Sequence, residues 1–219
     1  MACTMDLQNP LAAAIAANPA ASLILALNVG VSLLALYTLP WLLDRNLLRP
    51  YWLRRRHEYH TLFTSGVIHA DLGHLLFNSL TFFFFGFALE RRIGTAAFVV
   101  LYLAGLLVGS LGTWWKHRRN PQYSSLGASG AVLAVLFASI LYFPDQSIFI
   151  IPIPVPIPAP LFAVAYLGWT WWSARHPSGR INHDAHLGGA LTGLAFVALT
   201  DPATLQRALA QFASMASAG

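Results

Sequence analysis

LGASGAVLAVLFASILYF, residues 126–143, carries no charged side chain, yet opens with a hydroxyl set among small residues, Gly127-Ala128-Ser129-Gly130. A run this apolar is a helix meant either for lipid or for a protein interior, because a bilayer core of about 30 Å takes about 20 apolar residues. The rest of the chain decides between the two. Of 219 residues, 57% are hydrophobic and 10% charged, and the mean hydropathy is +0.58. That balance lies well outside the range of soluble domains and reads as an integral membrane protein.

Further runs of the same kind occupy roughly 22–43, 69–89, 95–115, 159–173 and 184–200. Together they predict an all-α polytopic membrane protein with six transmembrane helices. A short N-terminal segment 1–20, one six-helix domain over 21–200 and a short C-terminal tail 201–219 then account for these residues. No basic residue precedes the first apolar run, which is also longer than a signal-peptide core, so it is expected to be a retained helix. Cys3 is the single cysteine, so no internal disulfide can form among these residues.

The net charge of +5 sits in short loops between apolar runs. That placement fits contact with the lipid bilayer and membrane topology, and argues against nucleic acid as a partner. Residues 44–68, DRNLLRPYWLRRRHEYHTLFTSGVI, mix Arg with Trp, Tyr, Leu and Phe. Such a mixture predicts an interfacial element with snorkelling arginines and aromatic anchors. In IPIPVPIPAP, residues 151–160, five prolines remove every second N–H donor, which forbids helix and central strand alike and predicts an extended, polyproline-like connector. Trp169, Trp171 and Trp172 form an aromatic belt at the end of the fifth run.

Polar side chains at membrane depth are costly, and each is therefore a candidate site residue. His74 and Asn78 stand four apart on one helical face and can aim two donors at one point. His69 falls on a different face and reads as structural. Ser129 lies at the first turn of its helix, where free N–H groups and the helix dipole suit a developing oxyanion. Small-residue runs are equally ordinary at membrane helix contacts, so Ser129 alone reads as packing or as nucleophile. His186 precedes Gly189 and Gly193 by three and seven residues, placing its imidazole on a small-residue contact stripe. With six spans, all these groups fall at similar depth from one membrane face. A nucleophile–base pair of Ser129 and His186 becomes possible if the two stripes meet. Asp184, two residues from His186 and about 200° around the helix, is poorly placed to orient it, which favours a dyad over a triad. No HExxH or thiolate pair accompanies the histidines, so neither a metal nor any other cofactor is expected.

The combination resembles the rhomboid family of intramembrane serine proteases. The resemblance covers about residues 20–200 and is carried by HLLFN at 74–78, Glu90-Arg91-Arg92-Ile93-Gly94, Gly127-Ala128-Ser129-Gly130, and Ala185-His186-Leu187-Gly188-Gly189 with Gly193. It implies a Ser129 nucleophile, His186 as general base, and an oxyanion hole from the His74 and Asn78 side chains with the Ser129 N–H. Gly127, Gly130, Gly189 and Gly193 would be the helix-packing residues around that site. The implied activity is an intramembrane endopeptidase whose partners are transmembrane protein substrates. The loop RHPSGRIN, residues 175–182, would help cap the site. Many relatives carry a Trp-Arg pair before a first-loop threonine; here His60-Thr61 stand before Thr64. A catalytically silent, client-binding relative is the alternative reading, and a histidine-based transporter a third that lacks acidic intramembrane residues.

Location follows from the same resemblance: a multi-pass protein of the cell membrane with the site facing the extracytoplasmic side. The charges point the other way. Arg45, Arg49, Arg54 to Arg56, Lys116, Arg118, Arg119, Arg175 and Arg180 fall on the site side, against Arg91, Arg92 and Arg207 opposite. The positive-inside rule would make that richer side cytoplasmic.

Overall fold

The computed structural model describes residues 10–150, 153–176 and 181–217. It is mostly helical: α1 (Pro10–Ala17), α2 (Pro19–Tyr37), α3 (Trp41–Asn46), α4 (Thr61–Thr64), α5 (Leu72–Ile93), α6 (Thr95–His117), α7 (Ser129–Tyr142), a ribbon of β1 (Ser147–Ile150) and β2 (Ile153–Pro158), then α8 (Ala159–Arg175), α9 (His183–Thr200) and α10 (Pro202–Ser217).

Among the described residues three helices, α2, α5 and α6, are long and apolar enough to cross a membrane. The remaining predicted runs are also helices, but α7 has 14 residues, α8 has 17, and α9 opens with two histidines and an aspartate. At 1.5 Å per residue α7 is about 21 Å long, shorter than a bilayer core. Its burial explains why it need not be longer: every residue from Ser129 to Leu141 is enclosed, with α9, α6 and α5 packed around it.

Small residues set that enclosure. Gly105 and Gly109 of α6 lie against Gly130, Ala131 and Ala134 of α7, and Gly193 of α9 lies on the Ala134 carbonyl. The tightest approach is at Gly189, where a Cβ would run into the Gly130 carbonyl, so only glycine lets α9 and α7 meet there. Larger side chains, Phe82, Phe98, Leu101 and Val135, fill the same core further along.

Buried carboxylate chemistry holds α2 to this centre. Glu90, near the end of α5 and 1% exposed, accepts N–H bonds from Ala20 (3.1 Å) and Ala21 (2.7 Å), the unsatisfied donors at the start of α2. The Thr95 hydroxyl donates a third bond at 2.8 Å. Gly94, with φ +82°, turns the chain in one residue from the end of α5 to the start of α6.

Two local readings change. The run expected over 22–43 stops at Tyr37, and Pro40 starts the separate short helix α3, because proline cannot continue the α2 hydrogen-bond ladder. The proline-alternating segment is extended as expected, but it pairs antiparallel with β1 instead of running free, with Ile148 opposite Ile157 and Ala159 N–H donating to Gln146 at 3.1 Å. A two-stranded ribbon has one unpaired edge per strand, which leaves room for Pro156 and Pro158, while Pro154 falls at a bulge between the Phe149–Pro156 and Ile150–Ile153 pairs. Pro152 lies outside the described residues. The tail after Asp201 is a further helix, α10, which buries Thr204 and Ala208.

Candidate active site

Ser129 is the first residue of α7 and is 7% exposed. The first intrahelical bond of α7 runs from Val132 N–H to Ala128, so the N–H groups of Ser129, Gly130 and Ala131 have no acceptor within the helix. These donors and the positive end of the helix dipole lie at the same helix terminus as Ser129.

The turn before Ser129 is held from two sides. Gly127, at φ +120°, donates its N–H to the Ser65 carbonyl at 2.9 Å. A side chain there would be strained and would also strike the His74 ring, 2.7 Å from Nε2. Ala128 N–H donates to His69 Nε2 at 3.4 Å, and His69 Nδ1 meets Ser32 Oγ at 3.0 Å. An Nε2 that accepts fixes the proton on Nδ1, which then donates to Ser32. His69 is thus a wholly buried tie between α2 and the residue preceding Ser129, in line with its structural reading.

Asp71 caps α5 by accepting the His74 N–H at 2.8 Å. The His74 ring therefore sits at the first turn of α5, edge-on to His69 with 5.1 Å between ring centres and facing Gly127. Asn78 lies one turn further along, where its side-chain N–H donates to the His74 carbonyl at 2.9 Å. One donor of the expected oxyanion pair is thus engaged within α5.

His186 lies in the first turns of α9, whose cap Asn182 accepts the Ala185 N–H at 3.1 Å and donates to Thr113 of α6 at 2.9 Å. Asp184 points away from His186: its carboxylate binds Lys116 at 2.8 Å and His117 at 3.1 Å. Tyr123 stacks on His117 at 3.6 Å between ring centres, and burial, with the Asp184 charge adding, pushes its hydroxyl up to about 12. The partner of His186 is one that sequence reasoning missed. Tyr166 of α8 meets His186 Nδ1 at 2.9 Å, with the rings stacked at 20°. Its signal was a tyrosine facing inward among the aromatics of LFAVAYLGWTWW.

Ser129 and His186 each adjoin a residue of one contact: Gly130 packs against Ala185 and Gly189. Among the described residues no hydrogen bond joins the Ser129 hydroxyl to His186; the imidazole is held by Tyr166. A polar cavity of about 20 Å³, room for about one water, adjoins Ser129 and is lined by Ser65, Ser110, Thr113, Ser125 and Asn182. Of the loop expected to cap the site, 177–180 lie outside the described residues.

A family model described as the rhomboid domain matches residues 56–202, more than half of the chain. RHOMBOID-like protein 12, mitochondrial, of Arabidopsis thaliana is 33% identical over 149 residues, 60% of this chain and 43% of its own length. Rhomboid protein 1, mitochondrial, of Saccharomyces cerevisiae is 30% identical over 184 residues, 78% and 50% respectively. Rhomboid protease GluP of Bacillus subtilis is 39% identical over 85 residues, 39% and 16% respectively. The chain spans half or less of the length of these relatives. The matched span runs from the first loop through α9 and includes Ser129, the glycine contact and His186, and on that match the chain belongs to the rhomboid family.

Proposed function

We propose that the chain is an intramembrane serine endopeptidase, a six-helix unit over 21–200 that cleaves transmembrane segments with Ser129 as nucleophile and His186 as general base. The observation that carries this reading is the glycine contact: Ser129 starts the buried helix α7 beside Gly130, and Gly130 meets Ala185 and Gly189 on either side of His186.

The chemistry requires one tautomer of the Tyr166–His186 contact. In it Nδ1–H donates to the Tyr166 hydroxyl oxygen and His186 presents an unprotonated Nε2 as base. Nε2 takes the Ser129 proton as Oγ attacks the peptide carbonyl, and the tetrahedral oxyanion falls to the free N–H groups at the start of α7 with the His74 ring. Asn78 joins the oxyanion hole once its amide leaves the His74 carbonyl. His186 then protonates the leaving amine, and water hydrolyses the acyl-enzyme. Gly127, Gly130, Gly189 and Gly193 allow the close helix approach this requires.

The test is cleavage of a helical membrane substrate by purified protein in detergent, with fluorophosphonate labelling alongside. Wild type cleaves and is labelled at Ser129; Ser129→Ala and His186→Ala lose on the order of 10⁶-fold in turnover, down to the blank. Unchanged cleavage by Ser129→Ala overturns the assignment. The missing hydrogen bond between Ser129 and His186 favours a second reading, a catalytically silent relative that binds membrane clients. Substrate retention with neither cleavage nor labelling in wild type would establish it.

The proposed location is a cell membrane, multi-pass, with Ser129 on the extracytoplasmic side. The mitochondrial names of two relatives favour a mitochondrial membrane as second address. Reporter fusions after residue 120 decide the sidedness.

A further inference from the structure

We propose that the rim of the bundle at the Ser129 end binds anionic phospholipid headgroups, through a repeated unit in which an arginine lies over an aromatic ring one helical turn before it. The inference rests on the fold and the membrane and is independent of proteolysis.

Four guanidinium groups at this end are stacked on rings: Arg55 over Tyr51 at 3.9 Å, Arg56 over Trp52 at 4.1 Å, Arg118 over Trp115 at 3.8 Å and Arg175 over Trp171 at 3.6 Å. Three of the four also donate to the carbonyl of their own aromatic residue, Arg55 at 2.7 Å, Arg175 at 3.4 Å, and Arg118. These three guanidinium groups spend one N–H locally, and all four are carried on an aromatic face with their other in-plane donors left for an acceptor outside the chain. Among the described residues none of the four is ion-paired: the carboxylates at this end that form pairs are Glu58, with Arg49, and Asp184, with Lys116 and His117. Their planar, unpaired forks match phosphate oxygens.

The units form one edge although they come from distant parts of the chain. Trp52 Nε1 donates to the Pro121 carbonyl at 3.3 Å and Leu48 bridges to Ser125, joining the first loop to the α6–α7 connection. Lys116 Nζ donates to the Ala174 carbonyl, joining the last turn of α6 to the end of α8.

The position of the edge selects lipid over an acidic protein segment. The units are distributed over the first loop and the ends of α6 and α8; only the Trp115–Arg118 unit borders a cleft among the described residues, which is wide open and mostly apolar, a lining suited to an acyl chain. Trp115 and Trp171 are 64% and 51% exposed, and seven residues before each, about 10 Å along the axis, stand exposed Val108 and Val164. Acyl chains would cover the valines and bring phosphates level with the arginines. At the opposite end the corresponding pair, Arg92 over Tyr142 at 5.3 Å, is looser. A leaflet rich in anionic lipid on the Ser129 side accounts for the basic residues there without making that side cytoplasmic.

The chain carries its own probe. Its seven tryptophans, at 41, 52, 114, 115, 169, 171 and 172, all belong to the first-loop region or to the last turns of α6 and α8, at this end. The full chain, reconstituted in phosphatidylcholine brominated on its acyl chains, is titrated with unbrominated phosphatidylglycerol while tryptophan fluorescence is read. The expected result is protection corresponding to a preference for phosphatidylglycerol of roughly fivefold at low salt, shrinking toward one in 0.5 M salt as the charges are screened. The variant R55Q/R56Q/R118Q/R175Q loses the preference, while R91Q/R92Q keeps it. A wild-type preference of one, a preference flat with salt, or an unchanged preference in the fourfold variant each overturns the proposal. The first two outcomes need no variant, so misfolding of the fourfold variant leaves the proposal falsifiable. Protection by a soluble glutamate-rich peptide without any response to phosphatidylglycerol would assign the rim to a protein partner and overturn the lipid assignment.

Discussion

Helices α7 and α8 are both apolar and of similar length, 14 and 17 residues, yet one is enclosed from end to end and the other lies along the outside. The buried residues of α8 are Ala159, Ala163, Thr170 and Ser173, while Leu161, Val164, Trp169, Trp171 and Trp172 point outward. In water such a pattern would be inverted. In lipid, hydrophobicity does not sort inside from outside, because acyl chains solvate leucine as well as another helix does; small residues that permit close approach sort it instead. The difference extends to the site. Ser129 sits on the enclosed helix, and the hydroxyl that holds His186 sits on the outer one.

The largest test of this contrast pairs one truncation in each helix. Phe137→Ala, at a side chain with no exposed surface, is expected to cost about 3–5 kcal/mol. Leu161→Ala, at a side chain 61% exposed, is expected to stay within about 0.5 kcal/mol. SDS-driven unfolding from detergent micelles measures both, and equal losses would erase the contrast.

Glycine-to-alanine changes sharpen it further, because they are expected to differ in sign. Gly189→Ala forces a methyl group onto the Gly130 carbonyl and should destabilise by about 1–3 kcal/mol. Gly168, inside α8, has open space where its Cβ would stand, so Gly168→Ala should stabilise by up to about 1 kcal/mol through helix propensity. The same unfolding assay reads the pair.

Tyr166→Phe removes the hydrogen bond to His186 Nδ1 and keeps the stacked ring. On the protease reading, kcat should fall about three- to tenfold with KM unchanged, the worth of one neutral hydrogen bond. A rise in KM with kcat intact would mean that the hydroxyl serves substrate binding through α8 instead.

The smallest effect concerns the end remote from Ser129. The Thr204 hydroxyl and N–H hold the Asp201 carboxyl below its usual range. A depressed carboxylate contributes stability that is present above its unfolded pKa and lost as pH falls through the folded one. Amide exchange in α10 should therefore speed up as pH drops below the usual carboxylate range, after correction for intrinsic rates, and Asp201→Ala should flatten that response.

Much of this was legible without coordinates. The six apolar runs fall on helices, and His74, Ser129 and His186 all stand in opening turns, as spacing required. The first helix was read too long because its apolar composition continues past Pro40, and the Tyr166 contact was hidden because an aromatic belt and an inward hydroxyl look alike in one dimension. The ribbon was missed because alternating proline was weighed against a central strand, whereas two strands alone have outer edges to spare.

Composition and periodicity alone determined that the chain enters a membrane, where its helices run, and which few polar groups fall within the apolar runs, since those properties follow from local sequence and a uniform apolar solvent. Tertiary structure alone decided which apolar helix is enclosed, that Gly130 meets Gly189, and that Tyr166 and not Asp184 holds His186. Those outcomes depend on backbone separations of a few ångströms between segments up to 59 residues apart, a quantity set by the packing of the whole bundle and encoded in no single stretch of it.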